Sequence, residues 1–370
     1  MHRIVYDHRI FTAQKYGGIS RYFCELAERM DGLAGLSSLI VAPLHGNAYL
    51  PDCKAPQWAM PLPGSLGSGG RAGRVANRLA SPLLEAVARP SLVHHTYYSQ
   101  GSRTKARTPS VLTVFDMIHE LFPADFPAAD PTSIWKRANV AAADHVICIS
   151  HSTARDLQDL CDVPADKITV THLACSEVFA EPPLPDETSP HGRPYVLYVG
   201  NRGGYKNFEN AVRAYAMSER LRREFDFVAF GGSPRPDAAE LALLDSLALP
   251  ATSIVRLGGS DDDLARAYRH ARVFIYPSRY EGFGIPPLEA MTAGGIVACS
   301  RASSIPEVVG DAALMFDPDD VDDICRQLET ACFDEAERAV LKTRSEAQAR
   351  RFSWDRCARE TADAYRELLA

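Results

Sequence analysis

Glu281 and Glu289, separated by seven residues, flank the segment Gly282-Phe283-Gly284-Ile285-Pro286-Pro287, where residue types and spacing most clearly suit chemistry. A strand-like run ends at Tyr276, a Gly-Phe-Gly loop follows, and Pro286-Pro287 opens a helix, proline being favoured in a first helical turn. In such a strand–loop–helix the loop and first-turn amides form an anion site above the strand ends. The two glutamates, with Glu289 expected in the first turn, can each accept paired hydrogen bonds from vicinal hydroxyls such as those of a sugar or a ribose. Gly17-Gly18, between the first strand and the first helix, lets backbone approach a phosphate or sugar closely. Val199-Gly200-Asn201-Arg202-Gly203-Gly204-Tyr205-Lys206-Asn207 ends another strand. It lacks the Gly-Lys-Ser/Thr of a phosphate-binding loop and the glycine spacing of a dinucleotide site. His94, His95 and Tyr97, also at a strand end, could line a binding surface by stacking and hydrogen bonding. Asp317 and Asp319 have the Asp-x-Asp spacing that can hold a divalent cation. The favoured reading instead has Pro318 open a helix, with Asp319 and Asp320 suited to its first turn.

Short β-branched or aromatic runs alternate with helical patterns throughout the 370 residues, the signature of βαβ units and parallel sheets. The fold class is α/β, with two doubly wound, Rossmann-like domains expected. Strands are expected at Ile4–Tyr6, Ser38–Ala42, Leu92–His95, Val111–Phe115, His145–Ile149 and Ile168–Thr171. A second series follows at Tyr195–Val199, Phe225–Phe230, Ile254–Leu257, Val273–Tyr276, Ile296–Ala298 and Ala313–Phe316. Ile19, Tyr22, Phe23, Leu26, Ala27 and Met30 put one apolar stripe on a helix. Residues 181–194 carry five prolines and a glycine and read as a linker between a domain at 1–180 and a domain at 195–352. The last segment, 353–370, is a Ser-capped amphipathic helix suited to packing on another domain.

Composition is ordinary for a globular chain, at 46% hydrophobic and 24% charged. Nine scattered cysteines include no pair with zinc spacing and suggest reduced thiols in a cytoplasmic setting. No export signal is visible, and nowhere do eighteen apolar residues run together. Residues 1–180 hold 17 Lys+Arg against 16 Asp+Glu, leaving 23 against 31 for the remainder, so the first half is the better host for an anionic partner. Within it, Lys54 to Arg107 contains eight basic residues and one acidic residue, Glu85. Arg71, Arg74 and Arg78 fall on one helical face, which suits an anionic membrane surface or a diphosphate-bearing acceptor, and equally suits a solvated helix face.

Glu281-x7-Glu289, within a broader similarity from Tyr276 to Asp317, resembles the two-domain retaining glycosyltransferases of family 4, the GT-B type of bacterial polysaccharide and O-antigen synthesis. Ser303-Ser304-Ile305-Pro306-Glu307-Val308-Val309-Gly310-Asp311-Ala312-Ala313, Tyr16-Gly17-Gly18-Ile19-Ser20-Arg21 and Phe352-Ser353-Trp354 extend the resemblance over nearly the whole chain. It implies the fold, two Rossmann-like domains facing a cleft, with the last helix crossing back to the first domain. It also implies transfer of a hexose from a nucleotide-sugar to a glycan or lipid-diphosphate-linked acceptor, with retention and without a metal or other cofactor. Lys206, with Arg202 as a second cation, would neutralise the donor diphosphate. Glu281 would orient the donor sugar and Glu289 the ribose. Gly17, Gly18, Gly282, Phe283, Gly284 and Ile285 would line the donor site, and His94, His95 and Tyr97 the acceptor side. Relatives often carry His-Asp where this chain has Phe115-Asp116; Asp116 could still bind a sugar hydroxyl, with His119 partly compensating. The donor is GDP- or UDP-linked, and mannose from GDP-mannose is the favoured choice. A cytoplasmic enzyme, in peripheral contact with the inner face of the cell membrane through Arg71, Arg74 and Arg78 and without a nucleic-acid partner, is expected. An epimerase, a phosphorylase or a non-catalytic nucleotide-sugar-binding protein on the same scaffold are the alternatives.

Overall fold

A computed structural model describes residues 1–62, 71–100 and 108–370, without the side chains at 71–74 and 78. The chain divides into two compact units, Met1–Leu173 with Ser353–Ala370, and Ala174–Phe352. The boundary falls earlier than the proline-rich segment suggests. Residues 174–194 belong to the second unit because side chains tie them there. Glu187 accepts from Arg269 Nε at 2.8 Å, His191 Nε2 lies 2.6 Å from Asp226, and the Phe179 ring packs on Tyr268. Prolines in this segment therefore shape an anchored strap.

The first unit is built on a seven-stranded parallel sheet: β1 (His2–Tyr6), β2 (Leu36–His45), β3 (Gln57–Pro61), β4 (Leu92–His95), β5 (Ser110–Val114), β6 (His145–Cys148) and β7 (Ile168–Val170), in the order β3-β2-β1-β4-β5-β6-β7. The second holds six parallel strands: β8 (Tyr195–Val199), β9 (Asp226–Phe230), β10 (Ile254–Leu257), β11 (Val273–Tyr276), β12 (Val297–Ser300) and β13 (Leu314–Phe316), in the order β10-β9-β8-β11-β12-β13. The central strands β8, β9, β11 and β12 are almost entirely buried. That explains their continuous apolar runs, since strands covered by helices on both faces show no alternation. In both sheets the strand order reverses beside the first strand, at β1/β4 and at β8/β11. Open α/β sheets bind ligands at such points.

The helix Gly18–Met30 buries Tyr22, Phe23, Leu26, Ala27 and Met30 as its periodicity predicts. The C-terminal helix Trp354–Leu369 packs on it within the first unit, its start capped by Ser353, which accepts the Arg356 N–H. Trp354 lies 6.2 Å from Tyr22, and Arg29 Nε donates to Asp355 at 2.9 Å. Tyr365 meets His94 Nδ1 and the Tyr6 hydroxyl in the core.

This last contact makes a pH prediction. His94 is fully buried, its Nε2 lies 2.8 Å from Thr113 Oγ1, and burial, aided by the neighbouring His95, pushes its pKa down to about 3. An unfolded histidine titrates near 6.5, so between these values the unfolded chain binds the extra proton, and stability present above pH 6.5 falls on acidification. From pH 7 to pH 4.5 the loss from this group should be about 2.5 kcal/mol. Urea unfolding at both pH values should show a flatter dependence in His94→Gln, and equal dependences would refute the assignment.

Candidate functional site

The site in the second unit follows from sheet order. Because β8 and β11 are neighbours, the loops leaving their carboxyl ends converge, and Lys206 Nζ donates to Glu281 Oε1 at 2.7 Å. The two side chains are 20% and 10% exposed, so the pair is sheltered yet reachable. Lys206 closes a 3₁₀ turn, Gly204–Lys206, after which Asn207 takes a left-handed φ of 56°. Asn207 supports that conformation by donating from Nδ2 to the carbonyls of Pro277 at 3.0 Å and Pro318 at 2.7 Å, which ties the Lys206 turn to the ends of β11 and β13. The Arg279 N–H adds a bond to the Tyr205 carbonyl at 2.8 Å.

The glutamate loop is pinned from the other side by two adjacent serines. The Glu281 N–H donates to Ser303 Oγ at 2.8 Å, and Ser304 Oγ reaches the carbonyls of Glu281 at 2.8 Å and Phe283 at 2.7 Å. Gly284, at φ 114°, turns the loop into the helix Ile285–Thr292, a conformation only glycine adopts cheaply. Pro286 and Pro287 lack an N–H, so the first turn of this helix has few amides to offer an anion. Glu289 is the fifth helical residue, one turn deeper than the expected first turn, and half-buried. Tyr268 donates to its Oε2 at 3.2 Å. Burial, followed by the negative charge of Glu289, holds the Tyr268 phenol well above its ordinary pKa. Burial and Glu281 do the same for Tyr276. Both phenols therefore stay protonated.

Arg202 is differently employed from the expectation. Its guanidinium, 7% exposed, donates to Glu240 at 3.1 Å, to the Gly231 carbonyl at 3.0 Å and to the Ser233 carbonyl, holding the loop after β9. The helix expected to open at Pro318 begins only at Val321, capped by Asp320, and Asp317 and Asp319 form the turn ahead of it: the Asp319 N–H donates to Asp317 Oδ1 at 2.9 Å, and Asp319 pairs with Arg279 at 2.7 Å.

In the first unit, Gly18 begins its helix and Gly17 caps it. A Cβ at Gly17 would strike the Gln14 side chain, whose Oε1 accepts the Ser20 N–H at 3.4 Å. Gln14 went unnoticed in the sequence because nothing in its spacing marks it. Phe115 is buried against Tyr22 and Phe23. Asp116 accepts the Ile118 N–H at 3.0 Å and lies 3.7 Å from the buried Lys136 ammonium, which pairs with Glu120 at 2.7 Å. His119 stacks on Phe126 with ring centroids 3.9 Å apart and faces Asp130. Lys136 was also missed, being a lysine in an otherwise ordinary helical pattern.

The three residues of the expected acceptor side separate. His94 points into the core and offers no free nitrogen. His95 Nδ1 lies 2.8 Å from Asp7 Oδ2. Burial alone would raise the Asp7 carboxyl, but Arg9 at 3.1 Å and His95 hold it well below the usual range. His95 and Arg9 line a cavity of about 340 Å³ with Glu85, Arg89 and Asn139. Tyr97 gives its carbonyl to Arg9 at 3.1 Å, and its phenol is pushed up to about 12, chiefly by burial and then by Asp116.

Two parallel α/β units, each with a strand-order switch point, have the architecture of the GT-B glycosyltransferases. The chain belongs to the glycosyltransferase family 4. Residues 16–175 match the model described as Glycosyltransferase Family 4 and residues 184–348 the one described as Glycosyl transferases group 1. It is 31% identical to the O-antigen chain mannosyltransferase B of Escherichia coli over 79% of this chain and 80% of that one. It is 33% identical to the serotype-specific mannosyltransferase WbdA of the same organism over 63% of this chain, which corresponds to 30% of WbdA. Among solved structures, a sucrose-phosphate synthase from Thermosynechococcus elongatus superposes with a TM-score of 0.75 at 21% identity, covering 100% of this chain and 99% of that chain. HepE of Anabaena, in complex with UDP and glucose, gives 0.74 at 17% identity, covering 99% and 100%. These share the fold.

Proposed function

We propose that this glycosyltransferase moves mannose from GDP-mannose, with retention of configuration and without a metal, to a glycan or lipid-diphosphate-linked acceptor in bacterial polysaccharide synthesis. The observation that carries the reading is the Lys206–Glu281 contact of 2.7 Å at the β8/β11 switch point, with Glu289 eight positions further on. The names of the two Escherichia coli relatives support mannose and an O-antigen-type product.

In this reading Lys206 exchanges part of its bond to Glu281 for the donor diphosphate and stabilises the charge that develops as the sugar–phosphate bond breaks. The amides of residues 282–285 assist. Glu281, once shared with the donor, accepts hydrogen bonds from the sugar hydroxyls, and Glu289, steadied by Tyr268, accepts them from the ribose. The acceptor hydroxyl attacks the face the diphosphate leaves and gives its proton to the departing diphosphate oxygen, so the side chains work by positioning and leaving-group stabilisation. His95 and Tyr97, beside the first-unit cavity, serve the acceptor side. Arg202 supports the donor loop from behind. The basic stretch Lys54 to Arg107 meets anionic lipid at the inner membrane face. No helix among the described residues is long and apolar enough to cross a membrane.

A panel of GDP- and UDP-sugars, assayed for nucleotide release with and without a mannan or lipid-diphosphate oligosaccharide, tests the proposal. Acceptor-dependent release from GDP-mannose supports it. Release from another donor alone would reassign the sugar, and binding without release would make the chain a nucleotide-sugar-binding protein. Activity should also persist in excess chelator, because Lys206 supplies the positive charge while Asp319 is engaged by Arg279. Loss of activity restored by manganese or magnesium would overturn metal independence.

A further inference from the structure

Three buried phenols lie near the two glutamates of the second unit, and they are not used alike. Tyr268 donates to Glu289 Oε2 at 3.2 Å. Tyr198, on β8, donates to the Asn201 carbonyl. Tyr276, at the end of β11 and 2% exposed, has a buried hydroxyl that completes no hydrogen bond with any described residue. Buried phenols normally find a partner, because a donor left without an acceptor forfeits the bonds it made to water. The surroundings of Tyr276 point to the partner it is placed to take. The Lys206 ammonium stands 5.9 Å from the Tyr276 ring centroid, and Glu281 Oε1 is 2.7 Å from that ammonium. After burial, Glu281 is the strongest influence on the phenol, through its charge and through a side-chain approach that stops short of a bond. Ser278 Oγ, also buried and without a partner among the described residues, is the other polar neighbour. The strand end itself is fixed. The Tyr276 ring lies 5.7 Å from that of Phe274, Asn207 Nδ2 donates to the Pro277 carbonyl at 3.0 Å, and Ser300 Oγ donates to that of Ser278 at 2.5 Å.

We propose that Tyr276 is a positioning residue for Glu281: when the donor diphosphate draws the Lys206 ammonium away, the Tyr276 hydroxyl completes a hydrogen bond to the Glu281 carboxylate. The inference deepens the donor-site reading proposed above and rests on it. The exchange supplies what that reading lacks. A carboxylate sheltered at 10% exposure does not readily surrender an ammonium partner, since an uncompensated charge in such a place is costly. A phenol is neutral, so it does not compete with Lys206 for the diphosphate, yet an O–H bond to a carboxylate is among the stronger hydrogen bonds. With one lone pair of Glu281 engaged by Tyr276, the others remain for sugar hydroxyls. Glu289 already has this arrangement with Tyr268, so each carboxylate of the occupied site is seated on a buried phenol.

Tyr276→Phe removes the hydroxyl and nothing else. Because that hydroxyl completes no bond in the structure, thermal unfolding without nucleotide should not fall, whereas loss of a merely structural hydroxyl would lower it. GDP and UDP are the probes for calorimetry, and GDP-mannose with a mannan acceptor for turnover. Affinity for the nucleoside diphosphate that wild type binds should drop about tenfold in Tyr276→Phe, and kcat by a similar factor, as for a lost hydrogen bond to a charged group. In a Glu281→Ala background the same substitution should change neither, since its acceptor is gone. Ser278→Ala should leave both as in wild type. Crystals of wild type with the nucleotide should show Tyr276 Oη bonded to Glu281 and Lys206 Nζ on the diphosphate. A Tyr276→Phe variant that binds and turns over like wild type overturns the inference. So does an effect that persists without Glu281, an equal effect of Ser278→Ala, or a complex in which Ser278 or a water takes the phenol. Those outcomes leave the donor-site reading standing, whereas a wild type that binds neither GDP nor UDP overturns both.

Discussion

Lys206→Ala is expected to lower kcat for sugar transfer by about two to three decades with little change in folding. A single preorganised donor aimed at developing charge is worth about 2.7–4 kcal/mol in a sheltered site, and Lys206 brings a full charge. The loss has a second part. With Lys206 gone, the Glu281 side chain, 10% exposed, loses its ammonium partner and presents its negative charge to the incoming diphosphate. Donor affinity should therefore fall along with turnover. Lys206→Arg should recover only part of the activity, since a planar guanidinium does not reproduce a compact ammonium on the same short turn. Asn207 fixes that turn independently of the lysine side chain, so thermal unfolding should move little in either variant. Steady-state kinetics with donor and acceptor varied separately measure the effect. Retention of more than about a tenth of wild-type kcat would remove Lys206 from the leaving-group role assigned to it by analogy with such electrostatic sites.

Legibility in the sequence tracked how local the physical cause is. Parallel strands announce themselves as short β-branched or aromatic runs, and Leu92–His95, Tyr195–Val199, Ile254–Leu257 and Val273–Tyr276 stand at the bounds expected for them. The edge strand Gln57–Pro61 was not legible, because Trp58 and Met60 are exposed and prolines at 56 and 61 mimic a loop. The glutamate loop could be read because glycine and proline signal strand end and helix start. The deeper position of Glu289 could not, since the helix begins one residue before its prolines. Partner choice was the least legible property. Arg202 and Lys206 lie four positions apart in one glycine-rich loop, yet one turns to Glu240 after β9 and the other to Glu281 after β11, a division set by strand order across the sheet. His94 and His95 diverge for the simplest reason, that successive residues of a strand face opposite sides of the sheet. One therefore joins the core with Tyr365, and the other lines a cavity with Arg9.

The two glutamates should fail in different ways when removed. Glu289 is assigned to the ribose, which donor and product share, so Glu289→Ala should weaken the free nucleoside diphosphate by about one to two decades, the worth of roughly 1.5–3 kcal/mol for hydrogen bonds to a charged group. Tyr268→Phe keeps the carboxylate but removes the 3.2 Å bond that steadies it, and should produce a smaller loss of the same kind. Glu281→Ala should behave otherwise. Glu281 holds Lys206 at 2.7 Å, so its removal takes away a carboxylate that competes with the diphosphate for the ammonium. Nucleoside diphosphate affinity should stay level or rise modestly, while kcat falls because the donor sugar loses the contact that orients it as the bond to phosphate breaks. Calorimetry with the free nucleotide, paired with acceptor kinetics, separates these outcomes. A Glu281→Ala variant that loses nucleotide affinity as Glu289→Ala does would place both carboxylates on the nucleotide, and variants that bind and turn over like wild type would remove both from the site.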